Sequence, residues 1–380
     1  MLYRRMKKAS SDLSILGFGC MRLPVGEDGR IDEQHAARML RYAIDSGVNY
    51  VDTAYPYHNG ESEPFLGRAL QGGYREKVNL ATKLPSWLIK SRRDMDRYLD
   101  EQLRRLQTDH IDFYLLHGLA RQYWDKLRPL GVAEFLDDAL ADGRIKHAGF
   151  SFHDELHIFK EIVDFYDWTF CQIQYNFMDE HYQAGTEGLK YAAGKGLGVV
   201  VMEPLRGGML SREIPAVSKV WERSTVKRNL SEWALRWVWS HTEVTVVLSG
   251  MSNFQQTAEN VALALKEVPC PLLGEELSLY EQARAEYQNR IKVPCTGCRY
   301  CMPCPSGVSI PECFEMYNNA CMFDSQQVAG LNYNMAMGGF LDGKPSFASL
   351  CQECGECRER CPQKIDVPER LKEVAAYFGR

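Results

Sequence analysis

The chain has 380 residues, of which 45% are hydrophobic and 25% are charged, and its 45 basic and 50 acidic residues give a formal net charge of -5. This composition is typical of a globular protein with one large and one small domain, or with two medium domains. The slight acidic excess gives no electrostatic reason to expect nucleic acid or an anionic membrane as a partner. No apolar run approaches the ~20 residues of a membrane helix, and the N-terminus lacks the apolar stretch of a signal peptide. We therefore expect a cytoplasmic protein.

Short apolar runs alternate with amphipathic helical stretches through the first 270 residues. In chain order, the strand candidates are residues 14–19, 49–54, 78–83, 111–117, 145–151, 170–176, 198–204 and 244–250. Between the first two, apolar residues recur at helical spacing, Asp32 is a suitable N-cap, and Gly47 ends the pattern. The strands are almost continuously apolar, as buried parallel strands are.

Eight such strand–helix units in about 270 residues predict a (β/α)8 TIM barrel. A doubly wound nucleotide-binding fold is the alternative. That fold requires a G-x-G-x-x-G motif between a strand and a helix, and the glycine pairs Gly72-Gly73 and Gly207-Gly208 lack this spacing. The pattern favours the barrel.

Four polar side chains stand at or just after consecutive strand ends. Asp52 lies in the second strand, Tyr57 in the loop after it, Lys83 at the end of the third and His117 at the end of the fourth. In a barrel these ends share the face that carries the chemistry. We expect a buried Lys83, held cationic by Asp52, to lower the pKa of Tyr57 from its usual value near 10. His117 is suited to orient a substrate carbonyl.

Each of these residues alone has an ordinary structural explanation. Asp52 could form a cap or an ion pair, Lys83 could be solvated, and His117 could be a buried histidine with satisfied hydrogen bonds. The chain also has 19 tyrosines, some of which must fall in loops. Four compatible groups at successive strand ends nevertheless favour a catalytic site.

With these residues the chain resembles the aldo-keto reductase family over about residues 10–268. The resemblance is carried by LGFGCMRLP, VDTAYPYHNGESE, DFYLLHG, GFS, QIQYN, MEPL and GMSNFQQTAEN. It implies reduction of an aldehyde or ketone, or oxidation of the alcohol, with a nicotinamide cofactor extended across the barrel mouth. It also implies Tyr57 as the general acid, Asp52 and Lys83 as the groups that tune it, and His117 as the donor that orients the carbonyl. No zinc is expected at this site.

The resemblance places the cofactor, NADP or NAD, along the strand ends and the loops that follow them. The implied positions are Cys20, Met21, Asp52, Ser151, Gln174, Met202, Pro204, Leu205, Gly250, Met251, Ser252, Gln256, Glu259 and Asn260. Ser151 and Gln174 stand where the family holds the nicotinamide carboxamide. Phe152 stands where an asparagine is usual in this carboxamide clamp, and Met202 where many members have an aromatic ring. A 2′-phosphate is best bound by a guanidinium. Because Gln256 stands where NADP-specific members often have an arginine, we expect weak discrimination between NADP and NAD.

Ten of the thirteen cysteines lie between Cys295 and Cys361, and the others are Cys20, Cys171 and Cys270. In a chain without a recognisable secretion signal, clustered cysteines indicate metal binding rather than disulfides. One run, spaced two, two and two, comprises Cys295, Cys298, Cys301 and Cys304. A second, spaced two, two and three, comprises Cys351, Cys354, Cys357 and Cys361, and proline follows each run.

The second run is the one that bacterial-type ferredoxins use for 4Fe-4S clusters, and residues 293–368 resemble a ferredoxin-type two-cluster module. The resemblance implies one cluster on Cys295, Cys298, Cys301 and Cys361, and another on Cys351, Cys354, Cys357 and Cys304. The first run is one residue short before Cys304. Structural zinc is the alternative, because C-x-x-C pairs also suit tetrahedral sites. We expect Cys313 and Cys321 to be small buried side chains rather than ligands.

The sequence thus predicts a barrel over 1–270, a connecting helix over 271–292 and a small, mainly helical ferredoxin-like iron–sulfur domain over 293–380. Nicotinamide chemistry moves two electrons as a hydride, whereas a cluster exchanges one. Three roles for the clusters therefore stay open: electron exchange with a redox partner protein, electron exchange with a mediator such as a flavin, or a structural cap over the barrel mouth.

The predicted function is an NAD(P)H-dependent oxidoreductase that acts on a small carbonyl or alcohol substrate and carries an electron-transfer module. The alternatives are a nicotinamide-binding redox protein with little carbonyl turnover, or a metal-stabilised scaffold. Candidate pocket walls are Tyr55, Trp87 and Trp124, which do not identify the substrate.

Overall fold

The computed structural model describes residues 1–266, 272, 274–339 and 344–379. These residues form two units, one of Met1–Ser211 with Asn229–Leu272 and the other of Arg212–Arg228 with Leu273–Arg380. The predicted boundary at residues 270 and 271 lies outside the described residues, as does Cys270. No helix of the described part is long and apolar enough to cross a membrane.

A short antiparallel hairpin opens the first unit, formed by β1 (Tyr3–Met6) and β2 (Ser11–Ser14). The sequence pattern does not predict it. Met6 and Leu13 from the hairpin join the core inside the barrel, against residues such as Phe170 and Val246. The hairpin therefore covers apolar side chains that the amino ends of the strands would otherwise expose to water.

Eight parallel strands form a barrel: β3 (Leu16–Gly19), β4 (Tyr50–Asp52), β5 (Asn79–Leu84), β6 (Ile111–Leu119), β7 (Ile145–Phe152), β8 (Phe170–Gln174), β9 (Gly198–Met202) and β10 (Val244–Ser249). They close in the order β10-β3-β4-β5-β6-β7-β8-β9. Each matches a predicted strand to within two residues at either end. The predicted TIM barrel is confirmed.

The first ten helices lie in the chain segments that follow the barrel strands. They are α1 (Glu33–Asp45), α2 (Ser62–Ala69), α3 (Arg92–Leu106), α4 (Arg121–Leu127), α5 (Val132–Ala141), α6 (Leu156–Phe165), α7 (Gly185–Gly194), α8 (Pro215–Trp221), α9 (Leu230–Trp239) and α10 (Phe254–Ala264). The Asp32 side chain accepts a hydrogen bond from the His35 amide at 3.1 Å and so caps α1 as predicted. All belong to the first unit except α8.

Alternate residues of each strand point into the barrel. The interior core includes Tyr50, Ala81, Leu115, Phe170 and Val200. Counting in steps of two from these residues puts further side chains in the interior near the carboxyl ends of the strands. They are Asp52, Lys83, His117, Gln172, Gln174 and Met202.

The second unit contains α8 together with α11 (Gly274–Gln288), α12 (Ile310–Phe323), α13 (Gln326–Met337), α14 (Glu356–Arg360) and α15 (Val367–Phe378). Its core combines Val293, Phe314, Tyr333 and Leu371 with several of the cysteines. The predicted division differs from the structure in residues 212–228, which lie in the second unit rather than in the barrel. The reason is packing, because the Trp221 ring lies 5.1 Å from the Tyr280 ring of α11.

Candidate functional site

Lys83 lies at the centre of the polar residues at the carboxyl ends of β4 and β5. Its Nζ is 2.7 and 2.8 Å from the carboxylate oxygens of Asp52 and 2.7 Å from the Thr53 carbonyl. The Tyr57 hydroxyl is 3.5 Å from the same Nζ. Lys83 and Asp52 are only 1% and 3% exposed. The ion pair is therefore held inside the barrel, where charges interact more strongly than in water.

His117 completes the group of four from the neighbouring strand β6. Its ring centroid lies 6.1 Å from that of Tyr57 and 5.1 Å from that of Trp87. Its buried Nδ1 has no hydrogen-bond partner among the described residues. The structure thus brings together all four residues of the predicted site.

The pKa of Tyr57 differs from the expectation drawn from the sequence. Burial raises the pKa of the phenol, and this effect outweighs the lowering by the Lys83 ammonium, while Asp52 raises the pKa further. The expected net decrease in the pKa of Tyr57 is therefore wrong. The physical reason is that an ammonium already paired with a carboxylate compensates only part of the cost of burying a phenolate. Tyr57 is consequently protonated at neutral pH and able to donate a proton.

The charges of Lys83 and His117 follow from the same environment. Burial lowers the pKa of Lys83, but the interactions with Asp52 and Tyr57 together outweigh burial, and the net shift in pKa is upward. Burial lowers the pKa of His117 well below its usual value, and the positive charge of Lys83 adds to this. At neutral pH the site therefore holds an ammonium beside a neutral imidazole.

A buried network that the sequence pattern does not reveal supports the backbone of Lys83. Gln102 of α3 donates to the Lys83 carbonyl at 3.0 Å and to the Glu63 carboxylate at 2.7 Å. Thr82 also donates to Glu63 at 2.7 Å. Because Glu63 and Gln102 are fully buried, this network holds the end of β5 in place.

Among the candidate pocket walls, Trp87 packs against His117, with ring centroids 5.1 Å apart, and is 37% exposed. Tyr55 packs on Tyr98, with ring centroids 5.2 Å apart. Trp124 is fully buried and donates to Glu161 at 3.2 Å. Trp124 is therefore a packing residue rather than a pocket wall.

The two glutamines of β8 have different surroundings. Gln174, the predicted carboxamide ligand, donates its Nε2 hydrogen to Asp179 at 2.7 Å, and Gln172 lies with its Nε2 3.4 Å from Sδ of Met202. The Oε1 atoms of both are buried and unpartnered within the described ranges. Gln172 is absent from the predicted set, although the two-residue repeat of the strand places it on the same face as Gln174.

Two further positions of the predicted carboxamide clamp lie on β7. Ser151 accepts a hydrogen bond from the Gly118 amide at 2.7 Å. Phe152 points to the opposite face of the strand, and its ring lies 5.1 Å from Phe159 of α6. Phe152 is therefore a core residue, and its side chain does not take the place of the asparagine amide in the carboxamide clamp.

The loop after β9 carries the predicted positions Pro204 and Leu205 and ends in a turn over Arg206–Ser211. Arg22, which is not among the predicted residues, reaches this loop and donates to the Gly207 carbonyl at 2.8 Å. A Cβ placed on Gly250 would lie 3.4 Å from Cδ of Arg22. Arg22 thus runs between the loops after β9 and β10.

The remaining predicted cofactor positions lie near these loops. Cys20 is fully buried, and burial followed by the charge of Asp52 raises its pKa, whereas Met21 is 60% exposed. Ser252 donates to Gln256 from its amide at 2.9 Å and from its hydroxyl at 3.2 Å. In the same stretch, Glu259 accepts a hydrogen bond from Gln255 at 2.8 Å, and Asn260 donates one to Ser249 at 3.0 Å. Met251 is buried.

The eight cysteines of the two runs fall into two groups in space. Four of them line one cavity: Cys295, Cys298, Cys301 and Cys361. Burial raises the pKa of Cys295, and the nearby thiols of Cys298 and Cys361 raise it further. In the other group, burial raises the pKa of Cys357, and the neighbouring thiols add to it; these are Cys351, Cys354 and Cys304.

Each group draws three thiols from one run and the fourth from the other, as in the crossed assignment. Cys313 lies apart, buried on α12, with its Sγ 3.7 Å from the Tyr333 hydroxyl. Cys321 lies on the same helix and packs against the core. Within the described ranges, no three His, Cys, Asp or Glu side chains are arranged to hold a single metal ion.

A TIM barrel with an ion-paired lysine, a tyrosine and a histidine at its carboxyl end has the features of a barrel enzyme. Residues 15–269 match the model of the aldo/keto reductase family, and residues 294–365 match that of a 4Fe-4S dicluster domain. The chain belongs to the aldo/keto reductase family. It is an oxidoreductase of that family with a C-terminal 4Fe-4S domain, which confirms the family and the domain predicted from the sequence.

Several individual proteins are similar to the barrel part of the chain. An uncharacterized oxidoreductase, YqkF of Bacillus subtilis, is 26% identical over 293 residues, which cover 69% of this chain and 91% of that protein. The NADH-specific methylglyoxal reductase of Escherichia coli is 27% identical over 323 residues, covering 71% and 96%. The holo structure of aldo-keto reductase AKR11C1 from Bacillus halodurans is 28% identical, with a TM-score of 0.63 and coverage of 74% and 96%.

Proposed function

We propose that the protein reduces an aldehyde or ketone with NADH or NADPH, with Tyr57 as the proton donor, and carries a two-cluster iron–sulfur module. The observation that carries the proposal is the placement of the Lys83 ammonium, 2.7 and 2.8 Å from the Asp52 carboxylate and 3.5 Å from the Tyr57 hydroxyl. This arrangement supports Tyr57 as the acid and Lys83 as the cation that stabilises its conjugate base.

The interior side chains fit a nicotinamide. Its carboxamide carries an NH2 donor, and the unpartnered Oε1 atoms of Gln172 and Gln174 in the described structure are buried acceptors on one face of β8. Gln172 and Gln174 would hold the carboxamide of a reduced nicotinamide, which would supply a hydride for the carbonyl carbon. The E. coli relative is by name NADH-specific, and a similar Klebsiella pneumoniae structure is a complex with NADP. Gln256 offers an amide rather than a guanidinium, so we propose that this chain discriminates weakly between the two.

The residues of the chain supply the proton and the orientation. The Tyr57 hydroxyl donates its proton to the carbonyl oxygen as the carbon is reduced, so that the product is the neutral alcohol. Lys83 stabilises the phenolate that remains, and Asp52 keeps Lys83 charged. Neutral His117 donates a hydrogen bond from one ring nitrogen to the carbonyl oxygen and fixes its direction.

The cysteine groups fit two 4Fe-4S clusters. One would be held by the four thiols that line a common cavity, namely Cys295, Cys298, Cys301 and Cys361. The other would be held by Cys304 with the thiols around Cys357, namely Cys351 and Cys354. A 4Fe-4S cluster supplies one-electron exchange and a rigid centre for a small domain. We propose both clusters as resident groups of the second unit.

Replacement of Tyr57 by phenylalanine tests the catalytic assignment. We expect Tyr57→Phe to lower kcat/KM for reduction of a small aldehyde such as methylglyoxal by roughly 10²- to 10⁴-fold, because general acid catalysis is lost. The measurement is NADPH and NADH oxidation under anaerobic conditions, together with the dissociation constants of both dinucleotides, which should change little.

Tyr55→Phe is the matched control, because its hydroxyl contacts Arg105 at 3.2 Å rather than Lys83. It should keep its activity within a small factor. Unchanged carbonyl reduction in Tyr57→Phe would show that the proton comes from another group, and the assignment of the site would then be wrong.

A further inference from the structure

The loop after β9 leaves the barrel unit and enters the second unit before it returns. Residues 204–211, here called the strap, belong to the first unit and contact α9. Residues 212–228, here called the excursion, belong to the second unit. The chain rejoins the barrel at Asn229, which caps α9 by accepting from the Glu232 amide at 2.7 Å. The strap is thus connected to the second unit through Arg212.

The excursion is anchored in the second unit along its length. Arg212 donates to the Asp324 carbonyl, at the end of α12, at 2.9 Å. Trp221 of α8 is 6% exposed and packs edge-on against Tyr280 of α11, with ring centroids 5.1 Å apart. Arg228 forms an ion pair with Glu276 of α11. These contacts fix both ends and the middle of the excursion.

The same helix α12 also holds the segment that leads into the first cysteine run. The Asn318 side chain accepts from the Lys292 and Val293 amides at 3.1 and 2.9 Å and donates to the Val293 carbonyl at 2.7 Å. The Cys295 amide in turn donates to that carbonyl at 2.8 Å. The order of the cysteine segment and the Arg212 anchor of the excursion therefore depend on the same helix, α12, whereas Trp221 and Arg228 anchor the excursion to α11.

The strap has a conformation that depends on being held. Arg206 has a φ of 48°, and Gly207 and Gly208 have φ of 70° and 92°. A non-glycine residue adopts the left-handed region only when its surroundings impose it. Arg206 is held by an ion pair with Asp179 at 2.9 Å, and the far end of the strap continues into the excursion. Loss of that anchor would leave more conformations for a ligand to restrict.

We propose that the cluster-loaded second unit sets the conformation of the strap and thereby strengthens dinucleotide binding by the barrel. The inference rests on the proposed function, because it requires a bound dinucleotide, and on the family resemblance, which implies that the dinucleotide lies along Pro204 and Leu205. In this view the iron–sulfur module acts on nicotinamide binding through the chain itself, without electron transfer between the two cofactors.

The test compares dinucleotide affinity in the full-length protein with and without its clusters. NADPH and NADH are titrated by calorimetry under anaerobic conditions, before and after removal of iron with a chelator. We expect removal to raise both Kd values roughly tenfold, within the usual range for coupling between two sites. Hydrogen exchange of residues 204–211 should become faster in the cluster-free protein.

Variants of the excursion separate anchoring from iron content. Trp221→Ala, with its clusters intact, should show a similar rise in Kd, whereas Trp221→Phe should keep the wild-type value. In Trp221→Ala, cluster removal should add little, because coupled changes are not additive. If Trp221→Ala loses iron or misfolds, Arg212→Ala tests the anchoring instead. This variant removes one exposed hydrogen bond and should raise both Kd values by roughly two- to fivefold. Lys219→Ala is its control and should leave both Kd values unchanged.

The outcomes distinguish this inference from the proposed function. Equal Kd values in wild-type protein, cluster-free protein and the excursion variants would overturn the coupling and leave the reductase proposal standing. Failure of every form to bind either dinucleotide would instead contradict the proposed function.

Discussion

The Lys83 ammonium has two neighbours that compete for its charge. It contacts both carboxylate oxygens of Asp52 at 2.7 and 2.8 Å but reaches the Tyr57 hydroxyl only at 3.5 Å. Its attraction for a phenolate is therefore partly cancelled, and burial determines the direction of the Tyr57 pKa shift. We infer that the role of Lys83 is to stabilise the phenolate as it forms rather than to ionise the tyrosine in advance.

This arrangement predicts the pH dependence of carbonyl reduction. Reduction requires the protonated phenol, and because burial raises the pKa of Tyr57, activity should fall only above a pH of about 10. Burial lowers the pKa of His117 well below its usual value, so no change in kcat/KM is expected near pH 6.5. The profile of kcat/KM should therefore be flat across neutral pH. An acidic limb centred near the usual histidine pKa would show that His117 titrates and is not held neutral.

At the scale of elements, the close approach of α2 and α3 supports the carboxyl end of β5, which carries Lys83. Glu63 of α2 and Gln102 of α3 share a hydrogen bond of 2.7 Å, and Gln102 holds the Lys83 carbonyl. Gly67 makes this approach possible, since a Cβ at that position would lie 2.5 Å from the Arg105 carbonyl oxygen. The small size of Gly67 therefore allows the α2–α3 contact from which Gln102 reaches the Lys83 carbonyl.

Gly67→Ala tests the importance of this contact. The added methyl group has no space, so we expect the free energy of unfolding to fall by about 1–3 kcal/mol, as for other overpacked sites. Urea denaturation followed by circular dichroism measures it. Gly194→Ala in α7 is the matched control, because no heavy atom lies within 4 Å of its added Cβ. It should be neutral or stabilising by up to ~1 kcal/mol, and equal losses in both variants would show that the α2–α3 contact tolerates a methyl group.

At the scale of the whole molecule, each cysteine run contributes one thiol to the group formed by the other run. Cys361 lies with the first run and Cys304 with the thiols around Cys357. Each cluster would then link the two ends of the second unit, which encloses a core that includes Phe314 and Leu371. A small domain with a modest core is stabilised by such links, since metal binding contributes directly to its folding.

Pairs of cysteine replacements test the crossed assignment. Cys304→Ser with Cys351→Ser removes two ligands of the same cluster, so about four of about eight iron atoms should remain. Cys304→Ser with Cys295→Ser removes one ligand from each cluster and should leave little iron. The measurement is iron per chain after anaerobic purification, with the low-temperature EPR spectrum of the reduced protein. The opposite result in the two double variants would establish the uncrossed pairing, and Cys321→Ser should keep both clusters.

Much of the fold and the broad outline of the site could be predicted because they depend on short-range patterns. The continuous apolar runs, separated by stretches with a 3.6-residue repeat, locate all eight barrel strands. In a parallel barrel the strand ends share one face, which brings Asp52, Lys83 and His117 together. The spacing of the cysteines likewise indicates a cluster module, because one cluster draws its ligands from neighbouring turns of the chain.

Only the tertiary structure decided the features that depend on burial and on contacts between distant residues. The upward pKa shift of Tyr57 is caused mainly by burial of the phenol away from water, which the spacing of residues in the sequence does not predict. The contact of Arg22 with Gly207 joins residues far apart in the chain. Residues 212–228 follow a barrel strand in sequence, yet the packing of Trp221 on Tyr280 places them in the second unit. Local patterns record the conformation of a segment, whereas its partners and its exposure are determined only when the whole chain packs.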